Sequence, residues 1–161
     1  VNPAGREWGI ARTIQLTDAA GESPLHNGKP AVFDGFIMHL DEVTRLPEGV
    51  PLLATNDHTH VQAAIVDNGT ASFWSTQYHP EYNLYEMGRL IAARGAALVR
   101  EGFFPDEAAV ATYADKMIAL AANPDSSELR DELNVGDDLI DPQIREVELR
   151  NWLQFVDSRR S

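Results

Sequence analysis

The sequence predicts a mixed α/β fold, and two patterns along its 161 residues support that prediction. Up to residue 82, apolar and polar side chains alternate in short runs that end at glycine, proline or asparagine, as β-strands and their turns do. Beyond residue 82, apolar side chains recur every three or four positions, which is the period of an amphipathic helix. Strands are therefore expected in the first half of the chain and helices in the second.

The composition is that of an ordinary globular domain, and it excludes several classes of function. Hydrophobic residues make up 43% of the chain and charged residues 24%, both usual values. No apolar run approaches the length of a membrane span and no signal peptide is recognised, so we expect a cytoplasmic protein with no membrane partner. The formal net charge of −12 argues against a nucleic-acid partner, because nucleic acids bind to basic surfaces.

Cysteine is absent from the chain. Its absence excludes disulfides, thiolate metal sites and a cysteine nucleophile within these residues. Asp57, His58 and His60 are spaced like metal ligands, but no third or fourth ligand is evident near the two histidines, so an exposed loop is expected there. No metal and no cofactor are predicted.

The first strands are predicted from alternation between turn residues. Gly9 to Leu16 alternates as a strand does, and residues 17–30 form a polar connection with several turn residues. Residues 31–39 are rich in Phe, Ile and Val and predict one or two short strands. Leu52 to Thr55 predicts another short strand.

A hairpin is the clearest local prediction. His60 to Val66 and Ala71 to Tyr78 both alternate, and Asp67-Asn68-Gly69-Thr70 lies between them. Asn-Gly favours the tight turns in which both central residues have positive φ. The two segments should therefore pair as neighbouring antiparallel strands.

Three helices are predicted from the helical period and from end signals. The first covers residues 84–101 and ends at a glycine, and the second covers residues 106–122, with acidic residues in its first turn. Residues 123–141 are acidic and rich in turn residues, and loose order is expected there. Residues 142–157 form the last helix, begun by an Asp-Pro pair.

The last helix has an apolar face and lies in an acidic part of the chain. Its face consists of Ile144, Val147, Trp152 and Phe155, and we expect it to pack against the domain or a second subunit. Acidic residues outnumber basic ones strongly between residues 101 and 148. A solvated surface is the usual role of such charge, and a docking surface for a basic partner is the alternative.

His79-Pro80-Glu81 is the stretch that points most directly to chemistry. It follows the second strand of the predicted hairpin, and Pro80 cannot continue a central ladder, so the strand ends there. Side chains two positions apart on a strand point to the same side of the sheet. His79 and Glu81 should therefore be in contact at a strand exit, as the base and orienting acid of a nucleophilic triad are.

Four stretches occur in a fixed order along the chain: Glu7-Trp8-Gly9-Ile10, the segment from Ser23-Pro24-Leu25 through His39-Leu40-Asp41-Glu42-Val43 to Leu46-Pro47, the segment Leu53 to Ala63, and Trp74 to Glu81. Together they resemble segments of class I glutamine amidotransferase domains of the kind found in GMP synthase. The fourth is the most specific, because it is similar to the Gln-Phe-His-Pro-Glu signature of that family. The resemblance covers roughly residues 2–92.

The resemblance implies a fold and a division of the chain. The expected fold is the second half of a flavodoxin-like three-layer α/β/α glutaminase domain, with antiparallel strands and a C-terminal helical extension. Residues 1–102 would be the C-terminal part of the amidotransferase domain, and residues 103–161 would be an acidic helical tail. The chain would begin just past the nucleophile, so its partner would be the N-terminal half that carries the cysteine, or a second subunit.

The resemblance also implies a reaction. In the family a cysteine attacks the side-chain amide of glutamine, His79 would act as the base, and Glu81 would orient it. This chain would supply only His79 and Glu81 and would be inactive alone, with glutamine or a γ-glutamyl compound as the ligand. His39 and Asp41 would lie on the substrate side of the pocket or form a structural polar pair.

Two other functions remain open from the residues. The chain could be a non-catalytic binding or regulatory module that keeps the scaffold without the nucleophile. It could also belong to a γ-glutamyl peptide hydrolase, because the resemblance does not identify the amine that leaves. The sequence immediately before Val1 would distinguish an enzyme from a non-catalytic module.

Overall fold

The computed structural model describes residues 5–159 of the chain. Within that range the chain forms two compact units, one made of residues 5–81 with 141–159 and the other of residues 82–140. The resemblance seen in the sequence predicted a division after residue 102 instead. That division concerns domain organisation and not compactness, and it stays a prediction. The first unit contains all the strands of the described residues and the His79-Pro80-Glu81 stretch.

Five strands form one sheet in the first unit, and the class predicted from the sequence is confirmed as mixed α/β. The strand order is β2-β1-β3-β4-β5, and every pair of neighbours is antiparallel. Two short 3-10 turns lie between the first two strands. The strands are β1 (Glu7–Leu16), β2 (Val32–His39), β3 (Ala54–Thr55), β4 (Ala63–Asp67) and β5 (Ser72–Thr76), and the 3-10 turns are Asp18–Glu22 and Pro24–His26.

Seven helices follow the strands in the described residues, five in the second unit and the last two in the first. None of these helices is long and apolar enough to cross a membrane. They are α1 (Leu84–Ala93), α2 (Gly95–Arg100), α3 (Glu107–Ala122), α4 (Ser127–Leu133), α5 (Asp137–Ile140), α6 (Pro142–Arg145) and α7 (Val147–Ser158).

The helical half differs from the sequence prediction in three places. The first predicted helix is interrupted at Arg94, and the last at Glu146, each of which is a cap with non-helical backbone angles. The segment 123–141, expected to be loosely ordered, forms α4 and α5. Ser126 caps the first turn of α4 by accepting from the Leu129 amide, and Asn134 ends it at a φ of 50°, a conformation that asparagine tolerates.

In the second unit, α1 and α3 pack closely because Gly88 has no side chain. A Cβ on Gly88 would lie 3.0 Å from the carbonyl oxygen of Ala114 and 3.2 Å from the Cβ of Met117. Met87, beside Gly88, and Met117 are completely buried. This unit is therefore held by an apolar seam between two helices.

The sheet of the first unit curls until its two edge strands approach each other. Beyond the end of β5 the chain continues to Tyr78, which forms an antiparallel bridge with Ile37 of β2. Ile14, Phe33 and Tyr78 meet in the core that this curl encloses. The Tyr78 ring packs edge-on against Phe33 at a centroid distance of 5.3 Å.

Helix α7 covers part of this unit with the apolar face predicted from the sequence. Val147 is buried, and the ring centroids of Phe155 and of Trp74 on β5 lie 4.8 Å apart. Trp152 departs from the prediction, since 45% of it is exposed. The packed part of the face is therefore narrower than the apolar pattern in the sequence.

We expect Gly35→Ala to destabilise the chain, because an added methyl group at this position has no space. A Cβ there would lie 3.1 Å from Cδ1 of Ile14 and 3.1 Å from Cβ of Tyr78, and both side chains are buried. Overpacking of this kind costs about 1–3 kcal/mol. Urea unfolding of the variant measures the loss. Gly21→Ala is the matched control, since no atom beyond the neighbouring backbone lies within 4 Å of its added Cβ. Equal stabilities for the two variants would contradict the tight contact.

Candidate functional site: the His79–Glu81 pair

The backbone that carries His79 is fixed by hydrogen bonds to two different strands or their extensions. The Gln77 amide donates to the carbonyl oxygen of Gln62 at 2.8 Å, and the His79 amide donates to that of Phe36 at 2.7 Å. Pro80 follows and provides no amide hydrogen. Backbone hydrogen bonds therefore fix the strand exit as far as His79, and Pro80 adds no further backbone donor.

His79 and Glu81 are in direct contact, at the spacing that predicted it. Nδ1 of His79 lies 2.7 Å from Oε1 of Glu81. Because an ionised carboxylate only accepts, Nδ1 carries the hydrogen and Nε2 is left with the lone pair that a general base needs. The strand that leads to the pair, β5, lies at the edge of the sheet order, and its extension bridges to the opposite edge.

Both side chains of the pair reach the surface. The exposed fraction is 29% for the His79 side chain and 48% for that of Glu81. A reacting group can therefore approach the imidazole without unfolding the core. The catalytic role of the pair remains a prediction at this point, because a strand-end His–Glu contact also occurs in structural settings.

The pKa of Glu81 lies below its ordinary value, and opposing causes decide this. Partial burial by itself would raise the pKa. The hydrogen bond with His79, the hydrogen bond with its own backbone amide and the charge of the imidazole lower it by more. Glu81 is thus held in the ionised form, whose Oε1 accepts from Nδ1 of His79.

His39 and Asp41 lie in different environments. His39 ends β2, is buried, and its Nε2 lies 3.0 Å from Oε2 of Glu7, which also accepts from the Thr59 hydroxyl at 3.1 Å. Asp41 is exposed in the segment after β2. The geometry of His39 is that of a satisfied buried polar group, and a substrate-side role for either residue stays a prediction.

The residues considered as metal ligands do not form a cluster. Asp57 and His60 are exposed, whereas His58 is half-buried with its ring 6.4 Å from that of His39. Within residues 5–159, no group of three or more histidine or acidic side chains is placed to hold a metal ion.

A wide surface cleft is separate from the His79–Glu81 pair. Its volume is about 740 Å³, and it is lined by residues between Leu16 and Ala31 and by neither member of the pair. Many of its lining atoms belong to the polar connection around the two 3-10 turns. Because the cleft includes neither His79 nor Glu81, its size does not identify the candidate site. The contact between the imidazole and the carboxylate does.

A buried polar cluster behind His79 was missed by sequence reasoning. The Tyr78 hydroxyl donates to Oε1 of Glu148 at 2.7 Å, and Nζ of Lys29 lies 3.1 Å from the same oxygen. Nε2 of His26 lies 2.8 Å from the Tyr78 hydroxyl and donates to it, because the phenol hydrogen is already directed to Glu148. Tyr78 and Glu148 lie far apart in the chain. The one hint in the sequence is Tyr78 itself, which stands where the signature that this stretch resembles has phenylalanine.

The family model described as glutamine amidotransferase class-I matches residues 7–97, more than half of the chain. The chain belongs to this family. The resemblance seen in the sequence is therefore confirmed, and the match includes both His79 and Glu81.

Two curated relatives differ in how much of this class I amidotransferase chain they match. The gamma-glutamyl-L-1-hydroxyisopropylamide hydrolase of a Pseudomonas species is 31% identical over 150 residues, which is 93% of this chain and 50% of the hydrolase. The glutamine-hydrolysing GMP synthase of Lactococcus lactis subsp. lactis is 39% identical over 82 residues, 50% of this chain and 15% of the synthase. This chain thus spans at most about half the length of either relative.

A solved structure supports the fold. The glutamine amidotransferase of Thermotoga maritima aligns with a TM-score of 0.52 at 18% identity, covering 87% of this chain and 53% of that protein. At this identity the likeness shows the fold alone. It extends well beyond residue 97, so the fold neighbour also has counterparts of helices in the second half of this chain.

We expect the pKa of Glu81 to rise in His79→Ala. The substitution removes the hydrogen bond and the charge that lower this pKa, whereas the partial burial that raises it remains. Carbon-detected NMR titration of the glutamate side-chain carboxyls measures the change. His60→Ala, at an exposed histidine outside the pair, should leave the pKa of Glu81 unaltered. An unchanged pKa in His79→Ala would show that the contact does not exist in solution.

His26 predicts a specific pH dependence of stability. Burial, and then the nearby charge of Lys29, lower the pKa of His26 from 6.5 to about 4, in a site that also faces Tyr78 and Glu148. The unfolded chain takes up this proton at a higher pH than the folded chain. Neutral, buried His26 therefore contributes its full share to the free energy of unfolding above pH 6.5, and this share is lost as the pH falls toward 4. At 1.36 kcal/mol per pKa unit, the free energy of unfolding falls by about 3 kcal/mol over that range.

Urea unfolding across that pH range measures the His26 contribution when the chain is compared with His26→Gln. Glutamine keeps an N–H donor for the Tyr78 hydroxyl but does not titrate. The variant should therefore have a flatter pH profile than the unmodified chain. Parallel profiles would contradict the assignment of a neutral, buried His26.

Proposed function

We propose that this chain provides the imidazole and the orienting carboxylate for hydrolysis of a γ-glutamyl amide by a Cys–His–Glu triad. The 2.7 Å contact between Nδ1 of His79 and Oε1 of Glu81, on a fixed strand exit, carries the proposal. Cysteine is absent from these residues. The proposal therefore places the nucleophile outside these 161 residues, either elsewhere in the same protein or in a partner subunit.

The proposed reaction follows from the orientation of the imidazole. Nε2 of His79 accepts the proton of the cysteine thiol, and the thiolate attacks the side-chain amide carbon of the γ-glutamyl group. The tetrahedral oxyanion then collapses, the C–N bond breaks, and His79 returns its proton to the leaving amine. Water hydrolyses the thioester with His79 again acting as base, and Glu81 stabilises the imidazolium at each step.

The comparisons favour a γ-glutamyl amide of a small amine as the substrate class over glutamine in an ammonia-transferring synthase. The similarity to the Pseudomonas hydrolase extends over 93% of this chain and so includes most of the helical half, whereas the similarity to the GMP synthase covers 50%. Glutamine itself, with ammonia as the leaving amine, is the second candidate, since the family match includes glutamine amidotransferases.

The complete product of the gene that encodes this chain is the proper material for testing the reaction. We expect it to release amine from γ-glutamyl amides, and His79→Ala to reduce kcat by about six orders of magnitude, as loss of a triad base does. Glu81→Gln should reduce kcat by about four orders of magnitude, because it impairs the orientation of the base and not the base itself. His60→Ala is the matched control and should retain activity.

Three outcomes would contradict the proposal in different ways. Full activity in His79→Ala would exclude the triad. Amine release by residues 1–161 alone would show that no external cysteine is needed. A complete gene product that hydrolyses neither glutamine nor γ-glutamyl amides would support a non-catalytic module on the same scaffold.

A further inference from the structure

Tyr78, the residue before His79, carries a hydroxyl in the core of the first unit. The side chain is 2% exposed, and a hydroxyl moved from water into an apolar core costs free energy unless it is hydrogen-bonded. Here the hydroxyl both donates to Glu148 and accepts from His26. Burial and the neighbouring carboxylate raise the pKa of Tyr78 well above its ordinary value, so the phenol stays protonated and remains a donor.

Glu148, on α7, is itself held in one position. Its side chain is 3% exposed and that of Lys29 is 2% exposed, so the two form a buried ion pair. Lys29 also donates to the carbonyl oxygens of Ile144 and Arg145, at the end of α6, at 3.0 and 3.1 Å. Each charged group therefore has several partners, which is the condition for retaining charges in a core.

The position of α7 relative to the strands is fixed by a further pair of hydrogen bonds. Nδ2 of Asn151, one turn after Glu148, donates to the carbonyl oxygens of Leu25 and Asn27 at 2.9 and 3.0 Å. These carbonyls belong to the connection that also provides His26 and Lys29. The carboxylate that receives the Tyr78 hydroxyl is thus fixed from both ends of the cluster.

Both ends of Tyr78 are consequently held. Its backbone forms the bridge with Ile37, and its phenol end is bound by Glu148. The next amide, that of His79, donates to Phe36. A residue fixed at the backbone and at the tip of its ring leaves little freedom for the peptide group that leads into His79.

We infer that Glu148 is a positioning residue for His79, acting through the Tyr78 hydroxyl, an inference that rests on the proposed role of His79 as base. Glu148 does not touch the reacting atoms. Its effect is to fix the backbone from which the His79 side chain extends, and so the position of the imidazole relative to Glu81. A buried ion pair is a weak source of stability compared with apolar packing, so the cluster is better explained by the geometry that it imposes than by stability.

Tyr78→Phe is the main test, because it keeps the packed ring and removes only the hydroxyl. In the complete gene product labelled with ¹⁵N-histidine, we expect the Nδ1–H form of neutral His79 to lose its dominance over the Nε2–H form. We also expect kcat to fall by about tenfold with KM within about twofold, the size of effect that slight misplacement of a catalytic group produces.

A matched control separates positioning from loss of stability. Val147→Ala removes buried apolar atoms from the same helix, beside Glu148, and offers no polar group to the cluster. It should lower Tm while leaving the His79 tautomer and kcat unchanged. The inference is overturned if Val147→Ala alters His79 as much as Tyr78→Phe does, or if folded Tyr78→Phe leaves both readouts unchanged.

Glu148 variants provide an independent comparison if Tyr78→Phe does not fold. Glu148→Gln keeps an oxygen that can accept from Tyr78, whereas Glu148→Ala does not, so Glu148→Gln should retain more of the Nδ1–H form and of kcat. Equal values for the two variants would overturn the inference. The tautomer of His79 is measured without turnover, so the two ideas fail separately. The positioning role of Glu148 can be excluded while the loss of activity in His79→Ala still supports the triad, and the triad can be excluded while the tautomer still depends on Tyr78.

Discussion

The antiparallel bridge between Tyr78 and Ile37 is the contact on which the rest of the first unit depends. It brings the extension of β5 to β2, at the opposite edge of the sheet order, and so encloses the core around Phe33. The same bridge sets the direction in which the chain leaves the sheet. Gly35 permits it, because any side chain there would meet the Tyr78 ring.

Three histidines of this unit illustrate how burial determines what a His–acid arrangement can do. His39 is buried against Glu7 and has its hydrogen-bonding needs met inside the fold. Burial, and to a lesser extent the charge of Lys29, lowers the pKa of His26 to about 4. His79 alone of the three combines a carboxylate partner with substantial exposure, which proton exchange with a substrate requires.

The family match covers residues 7–97, but residues beyond that range also contact the unit that contains His79. Glu148 and Asn151 reach back from α7 to the strands and their connection. The similarity to the Pseudomonas hydrolase covers 93% of the chain and therefore reaches beyond the family match as well. The C-terminal helix thus belongs to the same compact unit as the strands.

The sequence by itself determined the features that depend on neighbouring residues. Alternation and Asn68-Gly69 predicted the hairpin, and the spacing of His79 and Glu81 across Pro80 predicted their contact. The strand pairing and the contact formed as predicted because strand period and proline geometry act over a few residues. For the same reason the family signature, which is also local, was recognisable. The expected turn conformation was wrong in one respect, since Gly69 has a positive φ and Asn68 does not.

Tertiary structure decided the features that depend on residues far apart in the chain. Nothing local indicates that Lys29 and Glu148 form a buried pair, since each is an ordinary charged residue in its own segment. The helix breaks at Arg94 and Glu146 and the ordered helices within 123–141 likewise lay outside the reach of a periodic pattern. Packing selects among conformations of similar local free energy, and the curl that joins Tyr78 to Ile37 is one such selection.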